Sequence, residues 1–213
     1  MTESRILTLI ADKESDKEKV AEKVMKKPEL LAEVLAGLEA KPARIKYGCG
    51  KIIRIISEKK PEMLYPKIDY FFGLLDHENN IFRWEGIHVI GNLARVDAKN
   101  KINKNFAKYF APIPGPVMIT AANVIGGAAK IALAKPKLTE RITQEILKVE
   151  KAKYKTAECR NVALGQAIYS FDQFFGQIKD KESVIKLVKK QRKNTRNSTR
   201  KAAEKFSKKH KID

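Results

Sequence analysis

Sulfur, histidine, tryptophan and acid are the scarce chemistries of this chain. Its 213 residues hold two cysteines, Cys49 and Cys159, and no CxxC pair, which excludes a disulfide scaffold and a zinc ribbon. His77, His88 and His210 are too scattered for a ligand set, and none has a second histidine at i+4, so neither a metal site nor any other cofactor site is expected. Neither cysteine has a histidine at nucleophile-base spacing. No segment alternates apolar and polar residues between hairpin turns, so no strand is needed. Long apolar runs are missing too. The most apolar stretch, 117–134, is interrupted by Thr120, Asn123 and Lys130, which argues against membrane insertion. Within it, Gly126-Gly127 lacks the pattern of a dinucleotide loop and reads as close helix packing. The opening Met1-Thr2-Glu3-Ser4-Arg5 has no apolar run leading to small residues, and the expectation is a cytoplasmic chain with reduced thiols. Acid is short above all: 25 Asp and Glu face 44 Lys and Arg, a formal +19 that disfavours basic partners and favours polyanions.

What is present reads as helix. Hydrophobic residues at 43% and charged residues at 32% describe a globular chain with a charged surface, long enough to bury roughly 70% of its unfolded surface. Ser15-Asp16-Lys17-Glu18 has the form of a capping box and predicts a helix to about Lys27. Pro28 suits the first turn of the next helix, along which Leu30, Leu31, Val34, Leu35 and Leu38 make one apolar stripe. After Pro42 a second helix runs through Ile45, Cys49, Ile52, Ile53 and Ile56, and Pro61 opens the next, with Leu64, Ile68, Phe71, Phe72 and Leu75.

These helices recur in pairs. Small residues inside every second helix, Gly48, Gly86, Ala121 and Ala163, stand 38, 35 and 42 residues apart. A small residue admits a neighbouring helix closely, and the aliphatics beside it fill the groove. A further amphipathic helix precedes each, at about 29–40, 62–76, 99–111 and 137–152. Helix pairs repeating every ~40 residues are the pattern of an α-solenoid, in which each pair buries its apolar face only against its neighbours.

The segment Asp76-His77-Glu78-Asn79-Asn80-Ile81-Phe82-Arg83-Trp84-Glu85-Gly86-Ile87 resembles the inter-helix turn of a HEAT repeat. The resemblance covers about residues 28–175. It implies an Asp in the turn and an Arg heading the second helix, forming ladders between repeats; Arg44 and Arg160 stand near that place in two other units, while the third has Met118. The architecture implied is all-α, a right-handed α-α superhelix of about five HEAT-like, armadillo-like helix pairs. It is read as a single domain over 1–213, with N-terminal capping helices over 1–27 and a basic C-terminal helical cap over 181–213. Function is left open, because such proteins are scaffolds, receptors, nucleic-acid binders and, rarely, enzymes.

The C-terminal segment carries much of the charge. Residues 181–213 hold 13 Lys or Arg against 3 Asp or Glu, a net of +10, against +9 for the other 180 residues. Val184, Ile185, Leu187 and Val188 predict a short helix, Asn194 to Ser198 a turn, and Thr199 to Lys209 a second helix burying Ala202, Ala203 and Phe206. That spacing favours helix over a disordered basic tail. Lys189, Lys190, Arg192, Lys193, Arg196, Arg200 and Lys201 cluster where a phosphate backbone could be followed. A solvated charge run needs no partner and is the competing reading.

On the second helices of the pairs, which line the concave side of curved solenoids, Arg54, His88, Asn92, Arg95, Asn123, Lys130 and Gln166 are expected to point away from the apolar stripes. Lys and Arg there would neutralise phosphates, while Asn and Gln would donate to bases or backbone. The same residues would equally suit the exposed face of any amphipathic helix. Trp84, with His88 one turn later, prompts comparison with HEAT-like alkylpurine DNA glycosylases, which the chain resembles in size, charge and repeats. Their pattern needs a carboxylate one turn after a groove-facing Trp. Here that place is His88, so the group that would stabilise a cationic sugar is missing, and a Trp packed between repeats is the plainer reading. The expectation is therefore a non-enzymatic scaffold without a small-molecule substrate. Its partner would be nucleic acid or, alternatively, an acidic protein for which the chain is an adaptor.

Overall fold

Proline sets the start of one helix after another. Pro28, Pro61 and Pro136 each open a short 3-10 turn, where a missing N–H costs nothing. The computed structural model describes residues 5–212; Met1 to Ser4 and Asp213, the outer ends of the two expected caps, lie outside the described residues. The α-helices are α1 (Arg5–Ala11), α2 (Lys17–Lys26), α3 (Leu31–Ala36), α4 (Ala43–Lys59), α5 (Ile68–Leu74), α6 (Asn80–Leu93), α7 (Lys101–Lys104), α8 (Phe106–Phe110), α9 (Met118–Ala134), α10 (Thr139–Leu147), α11 (Ala157–Phe174), α12 (Glu182–Gln191) and α13 (Asn197–His210). No strand occurs among the described residues. After α1 and α2 the helices fall into first and second members: α3 before α4, α5 before α6, α7 and α8 before α9, α10 before α11, and α12 before α13.

The chain divides into two compact units, residues 1–97 and 98–213. In the first, α4 packs against α2 and α6, and α5 against α6. In the second, α11 lies between α9 and α13, while α10 packs on α12. The repeat period reappears in the bonds between neighbouring pairs. Asn92 donates to the Ser57 hydroxyl at 2.8 Å, 35 residues away, and Thr199 to the Asn161 carbonyl at 2.7 Å, 38 residues away.

The small residues mark close approaches. A Cβ on Gly48 would stand 2.6 Å from Ile10 Cγ2, and one on Gly86 2.9 Å from the Phe71 carbonyl oxygen. Ala121 and Ala163 have no exposed surface. Helix α9 is mostly buried, yet Ile119 and Leu133 remain about half exposed, and no described helix is long and apolar enough to cross a membrane.

Two local expectations are corrected. The cap of α2 is Asp16, whose carboxylate accepts from the Glu18 and Lys19 amides at 2.9 and 3.3 Å. Asp16 is thus the residue that reaches the orphan N–H groups, and Ser15 Oγ is buried without a hydrogen bond among the described residues. Arg83 does not make a ladder between repeats. Its guanidinium donates to the His77 carbonyl at 2.9 Å and to Asn80 Oδ1 at 3.2 Å, closing its own inter-helix turn.

Candidate functional site

Charge is divided unequally between the units. Residues 1–97 hold 17 Lys and Arg against 16 Asp and Glu, a net of +1, whereas residues 98–213 hold 27 against 9, a net of +18. Attraction for a polyanion therefore belongs almost wholly to the second unit.

Side chains and backbone lock its second helices side by side. The Ser170 hydroxyl donates to the Ile125 carbonyl at 2.8 Å, joining α11 to α9. Gln166 Nε2 would meet a Cβ on Gly126 at 3.2 Å, so the glycine leaves room for that amide. Between α11 and α13, Asn194 Nδ2 donates to Asn161 Oδ1 at 3.1 Å and to Gln191 Oε1 at 2.8 Å, and Asn161 Nδ2 donates to Thr195 Oγ1 at 3.1 Å. At the far end Asp172 bonds Lys209 Nζ at 2.9 Å and His210 Nε2 at 2.7 Å, and the His210 ring lies 4.4 Å from that of Phe206. Burial opposes ionisation of Asp172, but the hydrogen bonds and charges of Lys209 and His210 outweigh it and hold the carboxyl below its ordinary value.

What these helices leave outside is a row on each. Helix α9 exposes Ile119, Lys130 and Leu133; α11 exposes Tyr169 and Gln173; α13 exposes Lys201, Glu204, Lys205 and Lys208. Tyr169 is 51% exposed, the most of any large apolar or aromatic residue described. It shares a small cleft of about 30 Å³ with Asp172 and Lys205, floored by Ile168, Ala202 and Phe206. A wider open cleft of about 470 Å³, lined by Arg192, Glu204, Ser207, Lys208, Lys211 and Ile212, lies at the end of α13.

The residues expected to bind polyanions divide into four kinds. Some serve the fold. Arg54 is held by both oxygens of Glu85, with Nε to Oε2 at 2.9 Å; Asn92 is buried on Ser57; Arg95 donates to the Glu58 carbonyl; and Asn123 donates to Ile119 of its own helix at 3.0 Å. The burial of Asn92 overturns its expected outward direction: α6 is apolar on most sides, so no stripe identifies a solvent face. Others are partly engaged. Lys190 pairs with Glu150 at 3.4 Å, Arg196 with Glu158, and Arg200 donates to the Asn194 carbonyl at 3.1 Å and Asn197 Oδ1 at 3.0 Å. Gln166 and His88 are half-buried. Lys130, Lys189, Arg192, Lys193 and Lys201 are exposed. Sequence reasoning missed Tyr169, Lys205 and Lys208, although Tyr169 stands three residues after Gln166 and Lys205 and Lys208 stand four and seven after Lys201, the spacing of one helix face.

No cluster of three or more His, Cys, Asp or Glu suited to a metal occurs among the described residues. The Cys49 thiol is pushed up to about 11 by burial, against the pull of Lys17, and packs on Gly37 as a small apolar group. Trp84 is half-buried beside Glu85, whose carboxylate is committed to Arg54.

These features define an all-α repeat fold of the armadillo and HEAT kind. The solved structure of the designed armadillo repeat protein YIII(Dq)4CqI is similar, with a TM-score of 0.61 over 98% of this chain and 91% of that chain at 14% identity. No family model matches the sequence, and no curated protein matches it.

Proposed function

We propose that this chain is a non-enzymatic binding scaffold that engages nucleic acid through residues 98–213. The observation that carries the reading is the charge division, +18 against +1, on a fold whose known uses are largely those of a scaffold. Support comes from the rows on α9, α11 and α13, where exposed lysines stand beside amides and where Lys201, Lys205 and Lys208 outnumber the exposed Glu204 that stands among them. Acids near the site are mostly paired: Glu150 with Lys190, Glu158 with Arg196, Asp172 with Lys209. The free lysines of the C-terminal helices add to the same field.

Retention of labelled duplex and single strands by the full chain, measured as salt rises, tests this. Binding should fall steeply, with a log–log slope of about −0.9 per phosphate contacted on duplex DNA. Changing Lys189, Lys193 and Lys201 together to Gln should leave stability within about ±0.5 kcal/mol and flatten that slope. Absence of retention at low salt would overturn the reading in favour of an adaptor for an acidic protein.

A further inference from the structure

An aromatic ring left half outside in the middle of a basic, amide-bearing face is unusual in this molecule. The other large aromatics of the second unit, Phe106, Tyr109, Phe110, Phe171, Phe174, Phe175 and Phe206, are buried, and Tyr154 donates its hydroxyl to the Ile113 carbonyl. Tyr169 does neither. It sits in the C-terminal third of α11, one turn from Gln166 and one from Gln173, whose amide donates to the Tyr169 carbonyl at 3.2 Å. Its neighbour across the cleft is Lys205 of α13, with the floor formed by apolar Ala202 and Phe206. Asp172, the one carboxylate of that cleft, is already paired with Lys209 and bonded to His210.

We infer that Tyr169 is a stacking platform for an unpaired base, and that the partner of this face is single-stranded nucleic acid held with its backbone along Lys201, Lys205 and Lys208. The inference rests on the polyanion reading and deepens it. A π face flanked by amides and a lysine row matches both parts of a strand at once: bases stack on the ring, and phosphates meet the ammonium groups. A duplex offers only phosphates to such a surface, since its bases are stacked on one another. An acidic peptide offers carboxylates but no flat ring to lie on the phenol. The charge of the unit, +18, supplies attraction for all three, and the ring supplies the discrimination.

Anisotropy of a fluorescein-labelled uridine 12-mer, a matched RNA duplex and a labelled glutamate 12-mer, each titrated with the full chain at fixed salt, tests it. Tyr169→Phe should bind the single strand within about twofold of wild type, because the ring is kept. Tyr169→Leu keeps apolar bulk but no ring, and should weaken single-strand binding by about tenfold while leaving the duplex unchanged. Both variants should melt as wild type does, because the ring is half exposed. Equal loss on strand and duplex, or no loss with Tyr169→Leu, overturns the stacking role and leaves the polyanion reading standing. Tighter binding of the glutamate peptide than of either RNA overturns both.

Discussion

Gly165 of α11 lies directly against Thr199 of α13. A Cβ on the glycine would stand 2.8 Å from Thr199 Oγ1, and that hydroxyl is already fixed by its bond to the Asn161 carbonyl at 2.7 Å. The threonine cannot turn away without breaking that bond, so the C-terminal helix is held at a distance that only glycine permits.

The first prediction contrasts two glycines. Gly165→Ala should destabilise by about 1–3 kcal/mol, because the added methyl overpacks a fixed neighbour and outweighs the better helix propensity of alanine. Gly73 lies in α5 with nothing within 4 Å of where its Cβ would stand, so Gly73→Ala should stabilise by about 0.5–1 kcal/mol. Urea midpoints of the two variants should move in opposite directions from wild type.

At Gly86 the obstacle is backbone. Its Cβ would meet the Phe71 carbonyl oxygen at 2.9 Å and Leu74 Cβ at 3.0 Å, and neither is the end of a flexible chain. Gly86→Leu should therefore cost at least about 3 kcal/mol, the upper end of ordinary overpacking. A melting temperature equal to wild type would show that α5 and α6 can part without loss.

Arg54 should behave as a structural residue. Glu85 Oε2 accepts from its Nε at 2.9 Å, with the two side chains 38% and 12% exposed. Glu85→Ala should destabilise by about 1–2 kcal/mol, discounted because Arg54 is partly in solvent. Arg54→Gln should lower stability while leaving affinity for nucleic acid within about twofold, since one phosphate contact at most is lost. A large drop in affinity without destabilisation would return Arg54 to the binding surface.

The Asp172 cluster predicts an acid-side loss of stability. Its carboxyl is held below the ordinary value in the folded chain, so its stabilising contribution is complete above the unfolded value of about 3.9 and disappears as pH falls through the folded one. Asp172→Asn should be less stable than wild type at pH 5, and the difference should shrink below pH ~4. Chemical denaturation at pH 5, 4 and 3 reads this directly. A gap that widened toward pH 3 would contradict the pairing with Lys209 and His210.

The helix pairs were legible because burial on a helix is a local pattern. Val184, Leu187, Val188, Ala202, Ala203 and Phe206 announce buried faces by three- and four-residue steps, and each is buried. Small residues at Gly48 and Gly86 foretold close approaches for the same reason: a missing side chain is visible wherever it stands. Direction failed where the pattern is weak. Helix α6 carries apolar residues on most sides, the exposed Ile81 and half-buried Trp84 as well as the buried Phe82, Ile87, Val89, Ile90 and Leu93, so the inward turn of Asn92 had no periodic signal.

Composition and spacing by themselves determined the helical class, the pairing of helices, the buried side of the strongly amphipathic ones and the basic balance of the chain. Tertiary structure alone decided which charges are free. Arg54 meets Glu85 across 31 residues, Arg196 meets Glu158 across 38, and His210 meets Asp172 across 38. Such partners depend on the register between neighbouring helices, which inter-helix turns and contacts such as Gly165 with Thr199 set. A local apolar stripe shows which way a helix faces, but not where along its length a neighbour's side chain arrives.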